Sequence, residues 1–320
     1  MKRLISILVS GIILGLIFWR IQFSDLVEVF RDCDRFWMTV SLGMVIPITL
    51  ITAWRLQQLA PPQAELKFGA ANRLILAASS LNMVLPSKMG DIAKAYFMGD
   101  RGQLSRTLAL SLVVFEKACD LLSLLWWCVF GLVIYEPKNL FFGLMTVSVF
   151  TGLVFGSLLL AWPRFAQWFF LTAQHLAPQS IRSKLATMAK SWGEMHTYFW
   201  RDRTQLSKIA GISLFLWFLH LLQIWLFILA LNAFTPFMTN LALSPLAILA
   251  GLLPFTFAGV GTRDEALIQL YTPYFDDMTT AVALGLLCTS RYLLPAIGGL
   301  PFLNQYLSSV KQRVKQRKQG

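Results

Sequence analysis

The chain alternates between long apolar runs and short polar connections, and the runs set its architecture. At about 1.5 Å of rise per residue, tilted bilayer crossings fit near residues 4 to 19, 36 to 53, 107 to 134, 140 to 161, 209 to 231 and 278 to 300. The pattern predicts an all-α membrane protein of about six transmembrane helices. Two further runs are short and interrupted: Leu74 to Pro86, and Leu241 to Ala258, which carries Pro245 and Pro254. They are read as re-entrant hairpins, because neither makes a comfortable full crossing. The first span follows Met1-Lys2-Arg3 and ends at Trp19-Arg20 with no small-residue cleavage pattern, as in an uncleaved signal anchor. Its Gly11 and Gly15 form a GxxxG, which permits close helix approach but also arises by chance in apolar helices.

Composition excludes a water-soluble globular chain, with 56% hydrophobic and only 14% charged residues and a mean hydropathy of +0.61. Charge then supplies orientation. A net charge of +12 would point to nucleic acid in a soluble protein; here, with the N-terminus inside and both hairpins re-entrant, 21 of the 28 basic residues fall on the inner side and five outside. The asymmetry places both termini in the cytoplasm. Lys117 and Arg291 lie within spans and Arg263 on the outer side, so topology leaves these three unexplained. The partners expected are membrane lipids and not nucleic acid. Cys33, Cys119, Cys128 and Cys288 show no CxxC spacing, and neither a metal site nor any other cofactor is implied.

The connection from 162 to 208 places Ile181, Leu185, Met188, Trp192, Met195 and Phe199 at alternating steps of four and three. That stripe fits an amphipathic helix on the anionic inner leaflet or one packed on the helical bundle. The tail, 306–320, is a juxtamembrane basic cluster suited to anionic lipid. Domain organisation is accordingly one membrane domain over 1–320, with cytoplasmic interfacial helices at 164–200.

The two halves resemble each other. In the first, Leu85-Pro86 precedes Asp91, and Lys117 follows 26 residues later inside a span; in the second, Leu253-Pro254 precedes Asp264, and Arg291 follows after 27. The repeat units are about 68–135 and 241–302. Three crossings separate the two short segments, which inverts the second unit relative to the first. Paired, proline-interrupted segments in inverted halves point to a transporter site near the bilayer midplane.

Charges at membrane depth are costly and ask for partners or an aqueous cavity. Glu116 and Asp120 share a helix face, and Lys117 lies three residues before Asp120. These acids line a polar cavity, take part in proton coupling, or balance Lys117 and Arg291 structurally; the sequence leaves all three open. In Gly259-Val260-Gly261-Thr262-Arg263-Asp264-Glu265, Thr262 and Glu265 read as a capping box before a helix, while the free amides and Arg263 could receive an anionic headgroup. The first-half counterpart, Ser87-Lys88-Met89-Gly90-Asp91, offers Lys88. His175, His196 and His220 are isolated, and no catalytic motif is present, so no enzyme activity is expected.

The runs LNMVLPSKMGDIAKAYFM, FEKACDLL and LLPFTFAGVGTRDEALIQLY, with a later span holding Arg291 and Pro295, resemble the lysylphosphatidylglycerol synthase-type flippase-like membrane domain. That family's first motif falls on Asn82, Pro86, Gly90 and Asp91, the span motif on Glu116, Lys117 and Asp120, and the second motif on Pro254, Gly259, Gly261 and Glu265. Lysine stands at 117 where arginine is usual, which keeps the charge but loses the bidentate fork. The resemblance implies a multi-pass protein of the bacterial inner membrane that translocates a lipid between leaflets, the lipid being amphiphilic and anionic or phosphate-bearing. Lys88, Asp91, Glu116, Lys117, Asp120, Arg263, Glu265 and Arg291 would meet the substrate, and Asn82, Pro86, Gly90, Pro254, Gly259, Gly261 and Asp264 would shape the hairpins. Alternatives are an intramembrane enzyme on a polyprenyl-phosphate or sterol-like (hopanoid) lipid, and a non-catalytic partner of lipid-synthesis enzymes.

Overall fold

The structure is a computed structural model that describes residues 11–317 apart from 14, 18, 20, 85–88, 102–105, 135–139, 253–260 and 276. The described residues from Phe23 onward form thirteen α-helices and no strand. In chain order these are α1 Phe23–Arg31, α2 Arg35–Gly43, α3 Val45–Leu59, α4 Phe68–Val84, α5 Met89–Arg101 and α6 Arg106–Ile134. They continue as α7 Leu140–Ala161, α8 Pro163–Leu176, α9 Gln179–Phe199, α10 Arg203–Ala230, α11 Phe237–Gly251, α12 Thr262–Tyr271 and α13 Met278–Arg317. An all-helical chain is what a bilayer demands, since each backbone polar group must find its partner within its own segment.

Among the described residues, four helical stretches are long and apolar enough to cross a membrane: Arg35–Leu59, Phe142–Ala161, Arg203–Ala230 and Met278–Leu303. Six were expected. The span near 4 to 19 falls largely outside the described residues, and the one at 107 to 134 is the single 29-residue helix α6, which carries Glu116, Lys117 and Asp120. The described parts of the two short apolar runs are helical as well, in α4 to Val84 and in α11 to Gly251. α4 packs on α5, and α11 packs on α12, so a helical pair precedes a long helix in each half. Pro245 lies inside α11 without ending it. No atom of the described residues would lie within 4 Å of a Cβ on Gly11 or Gly15, so the GxxxG makes no close crossing among them.

The chain groups into two compact units. The first comprises residues 1–48, 124–150 and 215–295. Its buried polar groups tie neighbouring helices together: Gln223 Nε2 donates to the Ser41 carbonyl at 2.9 Å, and Asn240 Nδ2 to the Leu221 carbonyl at 2.9 Å. The Tyr271 hydroxyl donates to Asn240 Oδ1 at 2.9 Å and lies 2.7 Å from Ser244 Oγ, fastening α12 to α11. These groups are buried, so each bond removes a desolvation penalty that an apolar neighbour would leave in place.

The second unit comprises residues 49–123, 151–214 and 296–320. Its core includes Leu56, Leu59, Leu74, Leu112, Phe115, Met195, Phe199 and Ile209. Phe115 and Phe199 stack at 3.9 Å between centroids, Ser111 Oγ donates to the Ser191 carbonyl at 2.6 Å, and Trp192 Nε1 to the Leu159 carbonyl at 3.0 Å. These contacts divide the amphipathic stripe of α9. Met195 and Phe199 are buried in the unit, whereas Ile181 and Met188 remain exposed.

Two glycines in this unit set helix contacts. A Cβ on Gly90 would fall on the Ala78 carbonyl and the Asn82 side chain, and one on Gly299 on the Leu76 carbonyl and Ser80 Oγ. The backbones of α4, α5 and α13 therefore approach to a distance that only hydrogen permits. Gly299→Val should lower the thermal midpoint of the detergent-solubilised protein, at a cost of about 1–3 kcal/mol for overpacking. Gly143→Val, where nothing lies within 4 Å, should leave the midpoint unchanged.

Candidate functional site

The second unit holds six charged side chains in a closed, alternating ring. Arg55 on α3 reaches Glu116 at 3.1 Å and Asp120 at 2.5 Å. Glu116 also pairs with Lys94, which lies 3.8 Å from Asp91. Asp91 then meets Lys117 at 3.4 Å, and Lys117 meets Asp120 at 3.5 Å, which closes the circuit. Helical spacing makes this possible: Glu116 and Asp120 are four apart on α6, Lys117 is three before Asp120, and Asp91 and Lys94 are three apart on α5. Ser213 Oγ of α10 accepts a further bond from Arg55 at 2.8 Å.

Three cations face three carboxylates, so the ring carries no net charge. Its interior is buried, with Arg55 at 2% exposure and Lys94 and Glu116 at 1%. Lys117 is the open corner, 46% exposed. Buried ion pairs repay their desolvation only when each charge is matched, and each buried charge of this ring has an opposite partner. The residue pattern picks out Asp91, Glu116, Lys117 and Asp120 but not Arg55 and Lys94, which fall among the 21 basic residues of the inner side. The available signals were the position of Arg55 within an apolar helix and the i, i+3 spacing of Lys94 from Asp91.

The first unit holds Arg263, Asp264, Glu265 and Arg291. Arg263 is 3% exposed, and its guanidinium is committed. It donates to Asp264 at 2.6 and 3.0 Å, to the Gly285 carbonyl at 3.1 Å and to Thr289 Oγ1 at 2.7 Å. Asp264 in turn accepts the Gly261 amide at 2.9 Å. The helix therefore starts one residue earlier than a Thr262–Glu265 box requires, with Gly261 at the cap, φ 100°, and Asp264 closing back on it. Glu265 accepts from Gln269 Nε2 at 3.1 Å. Asn82 Oδ1 is buried with no hydrogen-bond donor among the described residues. Lys88, Pro86, Pro254 and Gly259 lie outside the described residues.

Arg291 differs from the other buried cations among the described residues. It lies at the middle of the Met278–Leu303 span, 6% exposed. Its Nη1 donates to the His220 carbonyl at 3.2 Å, its guanidinium lies 5.6 Å from the Tyr292 ring, and its Nε is unpartnered. Among the described residues no carboxylate pairs with it. Arg263 and Arg291 against Asp264 thus leave one positive charge unbalanced in this cluster.

The ring predicts a graded stability response, read as thermal unfolding in detergent. Glu116→Leu strands Arg55 and Lys94 in a buried site and should cost about 3–5 kcal/mol. Adding Lys94→Met should recover a large part of that loss, because Arg55–Asp120 and Asp91–Lys117 remain matched. Lys117→Met, at the exposed corner, should cost about 1 kcal/mol or less.

No curated protein matches the chain significantly. The family model described as Lysylphosphatidylglycerol synthase TM region matches residues 3–297 of the 320, and the protein belongs to that family of membrane domains, whose description associates it with a lipid-related membrane function.

Proposed function

We propose that the protein translocates an anionic, phosphate-bearing lipid between the leaflets of a bacterial inner membrane, with Arg291 as the residue that receives the headgroup. The observation that carries this reading is the unbalanced charge of Arg291 at the centre of a span. Insertion scales put a charge at a helix centre at about 2.5–3.5 kcal/mol, a penalty that an anionic ligand with matching donors offsets. A guanidinium is also the side chain best shaped for phosphate, which it grips through two parallel N–H bonds.

In this reading the other charged residues divide by whether they are already matched. Arg263 and Asp264 brace α12 and contribute no pull on substrate. The ring of Asp91, Glu116, Lys117 and Asp120 with Arg55 and Lys94 is neutral, and its exposed corner at Lys117 offers a second, weaker station for the headgroup. The helical pairs α4–α5 and α11–α12, each ahead of a long helix with a buried charge, support an inverted repeat. The basic excess on one side supports cytoplasmic termini.

The test is leaflet exchange of fluorescent phosphatidylglycerol in vesicles holding the purified protein. Arg291→Met should slow exchange by about tenfold or more, the loss of one charge-assisted contact of 1.5–3 kcal/mol. The same variant should keep or raise the thermal midpoint, because it removes an unmatched buried charge. Exchange at the unmodified rate in a folded Arg291→Met protein contradicts the reading.

A further inference from the structure

The segment between the spans ending at Ala161 and beginning at Arg203 contains a second candidate site, in the second unit and independent of Arg291. α8 and α9 pack together as a hairpin, and a cavity of about 900 Å³ lies along them. One face of α8 lines it, since Pro163, Ala166, Gln167, Phe170, Leu171 and Gln174 follow the i, i+3, i+4, i+7, i+8, i+11 pattern of a single helix face. Over the eleven helical steps from Pro163 to Gln174 this face runs about 17 Å. Leu108 and Trp192 complete an apolar wall. A volume at the upper end of the usual 300–1,000 Å³ for small-molecule sites, spread along such a length, suits an elongated amphiphile.

The rim is cationic. Lys190 on α9 and Arg201 in the turn that follows it line the cavity and make no ion pair among the described residues, and Glu194 is the acid on the same rim. His196 also lines it, but burial depresses its basicity, so it adds no charge at neutral pH. The rim therefore carries a net positive charge. Outside the cavity the hairpin exposes Trp162, Trp168, Leu176, Ile181 and Met188. Large aromatic and aliphatic side chains beside the ends of two spans mark a hairpin lying in the membrane interface. Residues 162–208 hold seven Lys and Arg against two acids, which favours the leaflet rich in anionic lipid.

We propose that this cavity binds one anionic phospholipid of the adjoining leaflet, its phosphate drawn by Lys190 and Arg201 and an acyl chain lying against Leu108, Phe170, Leu171 and Trp192. The proposal does not require that the protein transport lipid. A site of this kind anchors the hairpin to its leaflet and loads the protein with the lipid class it contacts.

Native mass spectrometry of the full chain, delipidated in detergent and titrated with phosphatidylglycerol, tests it. The titration is run in the Arg291→Met background, so that failure of the translocation reading leaves the result intact. One lipid should bind, and Lys190→Glu with Arg201→Glu should weaken it by about tenfold or more, as expected for reversing two surface cations. Arg164→Glu, on the same hairpin but outside the cavity, should leave binding unchanged, and Leu171→Asp should weaken it through the apolar wall. Phosphatidylcholine bound as tightly as phosphatidylglycerol, equal loss in Arg164→Glu, or displacement of the lipid by inorganic phosphate would each overturn the proposal.

Discussion

A closed ring of alternating charges, Arg55–Glu116–Lys94–Asp91–Lys117–Asp120, is the constraint on which the second unit depends. Its members come from α3, α5 and α6, so the three helices must meet at one place and in one register. Apolar packing alone selects registers weakly in a membrane, where lipid competes on equal terms with a leucine side chain. A charge in the same setting tolerates no slip, because a displaced partner strands its neighbours. Glu116 shows the point: it serves Arg55 and Lys94 at once, and both are almost fully buried.

The neutrality of the ring gives the other cluster its meaning. Each buried charge in the ring is matched, and so is the Arg263–Asp264 pair of the first unit. Arg291 stands apart, at a span's centre with backbone and aromatic contacts but no carboxylate among the described residues. In the proposed reading, this one open charge among the described residues is where an anionic ligand binds. The membership of the chain in a lipid-associated family makes a lipid phosphate the natural answer, and the amphiphilic cavity of α8 and α9 offers the same class of molecule a surface station.

Much of this was legible in the chain and some was not, for physical reasons. Apolar periodicity gave the helices and located the two short runs, because bilayer thickness and helical rise leave few alternatives. The acids Glu116 and Asp120 and the cations Lys117 and Arg291 stood out as charges in greasy text. Arg55 and Lys94 did not, because a base on the inner side reads much the same whether it meets water or a carboxylate; the apolar helix around Arg55 and the i, i+3 spacing of Lys94 from Asp91 were the only hints, and the fold distinguishes the two. Arg263 misled in the opposite direction: on sequence it looked like an open cation at a helix start, yet Asp264 and the α13 backbone and Thr289 hold it.

The most direct measurement is the headgroup dependence of leaflet exchange by the unmodified protein. In vesicles of one composition, fluorescent phosphatidylglycerol and an uncharged diacylglycerol analogue are compared with protein-free controls, at low and high salt. With Arg291 receiving the headgroup, protein-dependent exchange of phosphatidylglycerol is expected and none of the uncharged analogue beyond its spontaneous rate, with little dependence on salt because Arg291 is buried. Protein-dependent exchange that is equal for both lipids, or absent for phosphatidylglycerol, would contradict it.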